Sequence, residues 1–156
     1  MTDFPSLKAK YPDLIPERMR FECGLGWERI LDKYFAEVAQ AMTPGARLRL
    51  ERVFEKYGSL RIDAMAEGVV TREFGRALDK AEILADSRSY RFCETCGEPG
   101  SLRDKHMLYV ACEVHAHGAP PLPPDEGGMR LNGVDYEYDE ALDDLVVSKV
   151  QRAADG

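Results

Sequence analysis

Three cysteines and one histidine in this chain have the spacing of a metal site. Cys93 and Cys96 are separated by two residues, and the same gap separates Cys112 from His115. A two-residue gap lets one tight turn direct both side chains at a single ion, and the paired pattern is typical of zinc ribbons. Gly97, which follows the first pair, can adopt the positive φ that such a turn needs. We therefore expect these four side chains to bind one zinc ion.

The number of ligands indicates what the metal does. Catalytic zinc keeps an open position beside three protein ligands, whereas structural zinc is enclosed by four. The pattern therefore predicts a structural zinc ion. His117 is an alternative fourth ligand, although the shorter gap after Cys112 favours His115. His106 lies between the two pairs and is interpreted as a surface side chain.

The sequence favours a non-enzymatic protein, with no residue predicted to be catalytic. Zinc deaminases require a histidine upstream of the cysteine pair, and no histidine precedes Cys93. Cys23 has no nearby base and is interpreted as a buried thiol before a helix. The sequence contains no P-loop, no nucleophile elbow and no HExxH motif.

Charge is unevenly distributed along the 156 residues, which carry a net charge of −7. Residues 120–156 contain three Lys or Arg against nine Asp or Glu. Nucleic-acid binders usually show a basic surplus, so this balance favours a protein partner. No apolar run is long enough to cross a membrane, and the N-terminus lacks the apolar segment of a signal peptide. A cytoplasmic protein with reduced cysteines and no membrane contact is expected.

Two amphipathic helices around a β-hairpin are predicted to position the cysteine pairs. Helical periodicity predicts helices over 27–42 and 71–89, the second with a threonine N-cap, and alternation over 46–65 predicts the hairpin. The second helix leads into a zinc ribbon over 88–117, which should pack against the end of that helix. Residues 1–22 contain three prolines and are predicted to form an extended arm across the core.

The outer face of the predicted hairpin carries Arg47, Arg49 and Arg61. A basic strand face of this kind is a candidate phosphate-binding surface. The alternative is a solvated face of an antiparallel sheet, which gives the same alternation.

Residues 1–118 thus form the predicted body, and a Pro/Gly linker over 119–128 leads to an acidic segment over 129–156. The segment begins with a hairpin whose turn is Asn-Gly and continues into a helix that starts at Asp139. The carboxylates of this segment form either a solvated face or a partner-binding face. The sequence also leaves open whether the segment packs on the body or on another molecule. The candidate partner-binding residues are Asp135, Glu137, Asp139, Glu140, Asp143 and Asp144.

Several short motifs, taken in order, resemble a family of small bacterial and phage or prophage proteins. The family pattern runs roughly CGDGW, VKEKFGGLRFY, AExxS, CxxCGxPG and a closing LCDxHA. The similarity covers about residues 11–117, with Leu25 in place of Asp in the first motif and Ser59 in place of Gly in the second. The matching segments are RFECGLGW at 20–27, FEKYGSLR at 54–61, ADSRS at 85–89, CETCGEPG at 93–100 and CEVH at 112–115.

The resemblance implies a mobile-element context. In that context we expect a protein that inhibits or neutralises a protein partner, such as a toxin, a nuclease or a defence component, as immunity and anti-defence proteins do. A nucleic-acid-associated zinc-ribbon module is the alternative, with the hairpin arginines as its phosphate contacts.

Overall fold

A computed structural model of the chain describes residues 1–148. Within this range the fold is α+β, as predicted, with three α-helices and three small antiparallel sheets. None of the described helices is both long and apolar enough to cross a membrane. The helices are α1 (Pro5–Lys10), α2 (Glu28–Ala41) and α3 (Arg72–Ser89), and a 3-10 turn (Leu25–Trp27) precedes α2. The sheets pair β1 (Ala46–Lys56) with β2 (Ser59–Gly68), β3 (Ser101–Asp104) with β4 (Leu108–Ala111), and β5 (Met129–Leu131) with β6 (Val134–Asp139) and β7 (Asp144–Val147).

Helices α2 and α3 pack together and supply much of the hydrophobic core. Both predicted helices are confirmed, and Thr71 caps α3 because its Oγ1 accepts a hydrogen bond of 3.1 Å from the N–H of Phe74. The apolar stripe of α2 faces inwards, as its 3.6-residue period requires. Buried side chains of this region include Trp27, Ile30, Leu31, Tyr34, Phe35 and Val38 from the α2 segment and Leu50, Val53, Leu60 and Ile62 from the β1–β2 sheet.

Strands β1 and β2 pair as an antiparallel hairpin, with a turn that is tighter than expected. Tyr57 and Gly58 alone separate β1 from β2, with φ of 52° and 89°. Two consecutive positive φ values match the type I′ turn, whose twist suits an antiparallel pair. An irregularity between Leu50 and Arg52 shifts the register of the two strands. As a result, the inward-facing residues of β1 have even numbers up to Leu50 and odd numbers from Val53 onwards.

The prediction of an extended N-terminal arm is wrong for part of its length, because α1 forms there. Pro5 occupies the first helical turn, where its missing N–H leaves no bond unmade. Phe4 and Leu7 are buried and hold this short helix against the core. The following apolar residues, Tyr11, Leu14 and Ile15, are buried as the sequence led us to expect.

Strands β5 and β6 pair as an antiparallel hairpin, while the predicted final helix is wrong over the described residues. Asn132 and Gly133 have φ of 52° and 78° and form the tight turn between β5 and β6. Where the helix was expected, the chain turns back and forms β7. Asp143 has φ of 50°, which ends any helix, and the β-branched residues Val146 and Val147 pair with β6. Val150 of the predicted helix lies outside the described residues.

The Pro-rich linker lies along the body. The backbone N–H of Leu122 donates to Leu102 O at 2.7 Å, and the Tyr90 hydroxyl donates to Asp125 O at 2.9 Å. These bonds place the start of the C-terminal sheet beside α3.

Candidate metal centre

The structure brings Cys93, Cys96, Cys112 and His115 together. Their donor atoms all lie within 4.8 Å of one another. The Cys96 and Cys112 sulfurs are 3.7 Å apart, and His115 Nδ1 is 3.6 Å from Cys93 Sγ and 3.2 Å from Cys112 Sγ. Donors at about 2.0–2.3 Å from a tetrahedral zinc ion lie about 3.3–3.8 Å apart. The cluster could therefore bind a metal ion, and its dimensions are consistent with zinc.

The backbone of the first cysteine pair is held by two hydrogen bonds. The N–H of Gly97 donates to Cys93 O at 2.8 Å, and the N–H of Cys93 donates to Glu98 O at 2.8 Å. Gly97 has φ of 79°, as its place after the pair predicted. A side chain at this position would be strained by that φ and would meet Gly26 O at 3.0 Å.

The segment before α2 packs against the first cysteine pair. The N–H of Gly26 donates to Glu94 O at 2.8 Å, and Trp27 Nε1 donates to Phe92 O at 2.9 Å. A Cβ on Gly26 would lie 2.1 Å from Cys93 O, so no larger residue fits without movement. No packing role was predicted for Gly26 from the sequence. The Gly-x-Gly-Trp pattern is the signal that could have indicated a close approach of two backbones.

Arg103 holds the second ligand pair, and no sequence feature singled it out. Its side chain is 3% exposed and donates to three acceptors around that pair. The bonds reach Ala111 O at 3.2 Å, Ala119 O at 2.7 Å and Glu113 Oε1 at 3.0 Å. A buried guanidinium with several acceptors is well suited to fix a short loop, because its donors have a rigid geometry.

The electrostatics distinguish the cluster thiol Cys93 from Cys23. Burial opposes ionisation of Cys93, but backbone N–H groups of the ligand loops, first that of Cys112, lower its pKa to about 6. Burial raises the pKa of Cys23 to about 12, with a further contribution from the negative charge of Glu94. The thiolate is the form that binds metals, so the lowered pKa favours ligation by Cys93, and Cys23 is a buried thiol, as predicted.

Comparison of the chain with protein-family models, with curated proteins and with solved structures found no match.

The structure places His115 in the cluster and leaves His117 outside it. His117 is exposed and has φ of 50°, and it does not belong to the group of donor atoms. His106 is exposed in the β3–β4 turn, as predicted, with φ of 74°. The shorter gap after Cys112 therefore identified the histidine that joins the cysteines.

The three hairpin arginines lie on the outer sheet face, but acidic neighbours accompany them. Arg49 Nη1 is 3.1 Å from Glu67, which also lies 3.9 Å from Arg47, and Arg49 makes a second, shorter ion pair with Glu51. Arg61 Nε lies 3.9 Å from Asp86 Oδ1. Nearby on the same sheet, Arg52 forms an ion pair with Glu22 and lies opposite Asp63. The arginines therefore do not form an isolated positive surface.

Three of the six predicted partner-binding carboxylates, Asp143, Asp144 and Glu140, form ion pairs with cations of the body. Asp143 accepts from Arg88 Nε at 2.7 Å and from Lys33 Nζ at 2.8 Å, and Asp144 lies 2.9 Å from Lys80. Hydrogen bonds from the Arg88, Lys33 and Tyr138 side chains outweigh burial and hold the pKa of Asp143 well below its usual value. The question left open by the sequence is thus answered, since the acidic segment packs on α2 and α3.

Glu140 is the most exposed of these three, and the remaining three carboxylates lie on β6. Glu140 is 71% exposed and lies 3.2 Å from Arg91, while Asp139 accepts from the backbone of the following turn at 3.0 Å. Asp135 and Glu137 lie on β6. A partner-binding role for these six residues stays a prediction.

Glu82 on α3 has an elevated pKa, and a pH-dependent effect of its removal is expected. Burial, followed by the charges of Asp79 and Asp63, raises the pKa of Glu82 from 4.5 to about 7. Between these pH values the folded chain keeps a proton that the unfolded chain releases, so stability falls as pH rises. Glu82→Gln should therefore stabilise the protein at pH 8 by about 1–2 kcal/mol, a value reduced for solvent screening.

Urea unfolding at pH 8 and pH 5 measures this effect. The gain should shrink towards pH 5, where Glu82 is already mostly protonated in the folded chain. Glu17→Gln, at an exposed position, is the matched control and should change stability little at either pH. An equal gain for Glu82→Gln at both pH values would contradict the assignment.

Proposed function

We propose that this chain is a non-enzymatic binding protein with a structural zinc ribbon, and that it acts by inhibiting a protein partner. The observation that carries the proposal is the complete donor set of three sulfurs and one nitrogen within 4.8 Å. Four protein donors fill a tetrahedral shell and leave no position for a substrate or a reactive water. The zinc ion would then hold the two ligand pairs together and fix residues 91–119 against α2 and α3.

The charge distribution supports a protein partner over a nucleic acid. The chain carries a net charge of −7, and the arginines of the β1–β2 face have carboxylates beside them. Nucleic-acid affinity depends on cationic groups that neutralise phosphates, and a paired arginine contributes less of this attraction. An acidic protein is instead suited to a cationic partner, such as a nuclease toxin with a basic DNA-binding face. The motif resemblance to phage and prophage proteins supports such a context.

Cobalt substitution tests whether the metal shell is closed. With Co²⁺ bound by three thiolates and one imidazole, the visible spectrum should show tetrahedral ligand-field bands that do not change when azide or cyanide is added. An open site would bind the anion and shift the bands, because catalytic centres keep an exchangeable position. Anion-dependent spectra would refute the non-enzymatic role.

Binding to a protein partner is tested with the products of the genes that lie beside the gene for this chain. Each neighbour is expressed alone and together with this protein, followed by growth measurement and size-exclusion chromatography. One neighbour should be toxic alone, harmless in the pair and recovered as a complex. The Cys93→Ser variant is the control that should lose protection if the ribbon is required. The absence of any complex with a neighbour would count against the inhibitor proposal.

A further inference from the structure

The edge of β2 that faces away from β1 has backbone groups available for pairing. The backbone C=O of Val53 accepts from the N–H of Glu22, so it points to the side of β1 that faces away from β2. Val53 lies opposite Ile62, and these two residues therefore form a pair without hydrogen bonds between the strands. Ile62 therefore directs its N–H and C=O away from β1. The N–H of Leu60 points the same way, because it donates to Ser89 Oγ at 2.9 Å.

The two-residue period of a strand extends this edge along β2. Ala64 and Ala66 direct their backbone groups to the same side as Ile62. Over residues 1–148, no strand other than β1 pairs with β2. An unpaired edge of this kind is a template for another strand.

A groove of about 590 Å³ lies beside the start of this edge. One wall is β2 from Leu60 to Asp63, another is α3, and the third is the linker over 125–128. An added strand lies about 4.8 Å from its neighbour, so its side chains would meet α3 on one side and solvent on the other. The groove thus offers both a backbone template and side-chain contacts.

The groove is strongly acidic. Five carboxylates and one guanidinium, that of Arg61, line it. Within residues 1–148, Asp86 Oδ1 is buried and has no hydrogen-bond partner, while Arg61 Nε lies 3.9 Å from it. A cationic donor from a ligand would satisfy this oxygen and reduce the repulsion among the carboxylates. The carboxylates are Asp63, Glu82, Asp86, Asp125 and Glu126.

We propose that this groove binds an extended, lysine- or arginine-bearing segment of the protein partner, which adds as a strand to the free edge of β2. Backbone hydrogen bonds to Ile62 and Ala64 would hold the segment, and alternate cationic side chains would reach Glu82 and Asp86. The inference rests on the proposed protein-binding function and specifies the site and chemistry of that contact.

A fluorescein-labelled peptide, acetyl-TKTKTKT-amide, is the probe, with binding followed by fluorescence anisotropy on the full chain. The same peptide with glutamate in place of lysine should not bind. Two further peptides are N-methylated, one at the lysines and one at the threonines. Only one of them should lose binding, because an added strand uses alternate residues for its hydrogen bonds. Equal binding of both N-methylated peptides, or no binding of the parent up to about 1 mM, would overturn the proposal.

Charge variants locate the contact on the protein. The double variant Asp63→Asn/Asp125→Asn should weaken parent-peptide binding about five- to tenfold at low salt. The control Asp13→Asn/Glu17→Gln makes the same change in net charge at exposed positions outside the groove and should leave the affinity unchanged. Equal weakening by both would show non-specific attraction and refute the groove as the site. A neighbour complex that forms normally with the Asp63→Asn/Asp125→Asn variant would refute this contact while leaving the proposed function intact.

Discussion

Replacing His115 with alanine should release the metal ion and lower the melting temperature by about 10 °C or more, whereas His117→Ala should do neither. Structural zinc contributes several kcal/mol because its binding free energy is also folding free energy. For a chain of this size, each kcal/mol corresponds to a shift of about 2–4 °C. His115 Nδ1 lies among the three sulfurs, while His117 is exposed and outside the cluster. The two substitutions are chemically identical and two residues apart, so they form a matched pair.

Two measurements test this prediction. Mass spectrometry after dialysis gives the zinc content of each variant, and thermal unfolding gives its melting temperature. About one zinc ion per chain is expected for the parent protein and for His117→Ala, and much less for His115→Ala. The same comparison applies to the cysteines, because both Cys93 and Cys23 are buried and only Cys93 belongs to the cluster. Cys93→Ser should lose the ion and Cys23→Ser should retain it. If His115→Ala kept both its zinc and its stability, the structural-zinc assignment would be wrong.

Local patterns predicted the elements whose determinants lie within a few residues. The α2 stripe, the Thr71 cap and the Asn132-Gly133 turn each depend on side chains close in sequence, and each is confirmed. The metal cluster was also predictable, since two-residue gaps fix each ligand pair and few pairs are available in the chain.

Long-range contacts decided the features that the sequence did not predict. The segment after Asp139 has an acidic start and apolar residues that fit a helix, but pairing with β6 and the bonds of Asp143 to α2 and α3 favour a strand. Arg103 is a single arginine in a short strand, and only the fold reveals its three acceptors. Tertiary interactions of this kind override local propensity.

The free edge of β2 could not be predicted from the sequence for a different reason. Alternation in the sequence predicted the hairpin and the face occupied by each side chain, but backbone direction depends on the register between strands. The groove also requires the linker over 125–128 to lie opposite β2, which depends on bonds made by Tyr90 and Arg91. Its acidic character could be found only after these three segments were placed together.

Arg88→Met should detach the C-terminal sheet from the body at a cost of about 3 kcal/mol. The Arg88 side chain is 6% exposed and bridges α2 to the turn between β6 and β7. Its guanidinium donates to Glu37 at 2.9 and 3.3 Å and to Asp143 Oδ1 at 2.7 Å. Removal of the cation leaves two carboxylates close together without their shared partner, which is why the cost exceeds that of a surface ion pair.

Lys33→Met is the matched control, because Lys33 contacts the same Asp143 at 2.8 Å but is 55% exposed. Surface pairs contribute about 0–1 kcal/mol, so this variant should remain close to the parent. Hydrogen exchange of the β6 and β7 amides should accelerate about 100-fold in Arg88→Met and little in Lys33→Met. Arg88→Lys keeps the charge but loses the two-pronged contact with Glu37, and an intermediate effect is expected.

The acid dependence of stability gives a second measurement of the same interaction. The pKa of Asp143 is held below its usual value of 3.8, so its stabilising effect is present above that pH and is lost as pH falls through the folded-state pKa. In Arg88→Met the main cation responsible for this shift is absent, and the loss of stability below about pH 4 should be shallower than in the parent. Parallel acid profiles, or equal destabilisation by Arg88→Met and Lys33→Met, would show that Arg88 is not what holds the acidic segment on the body.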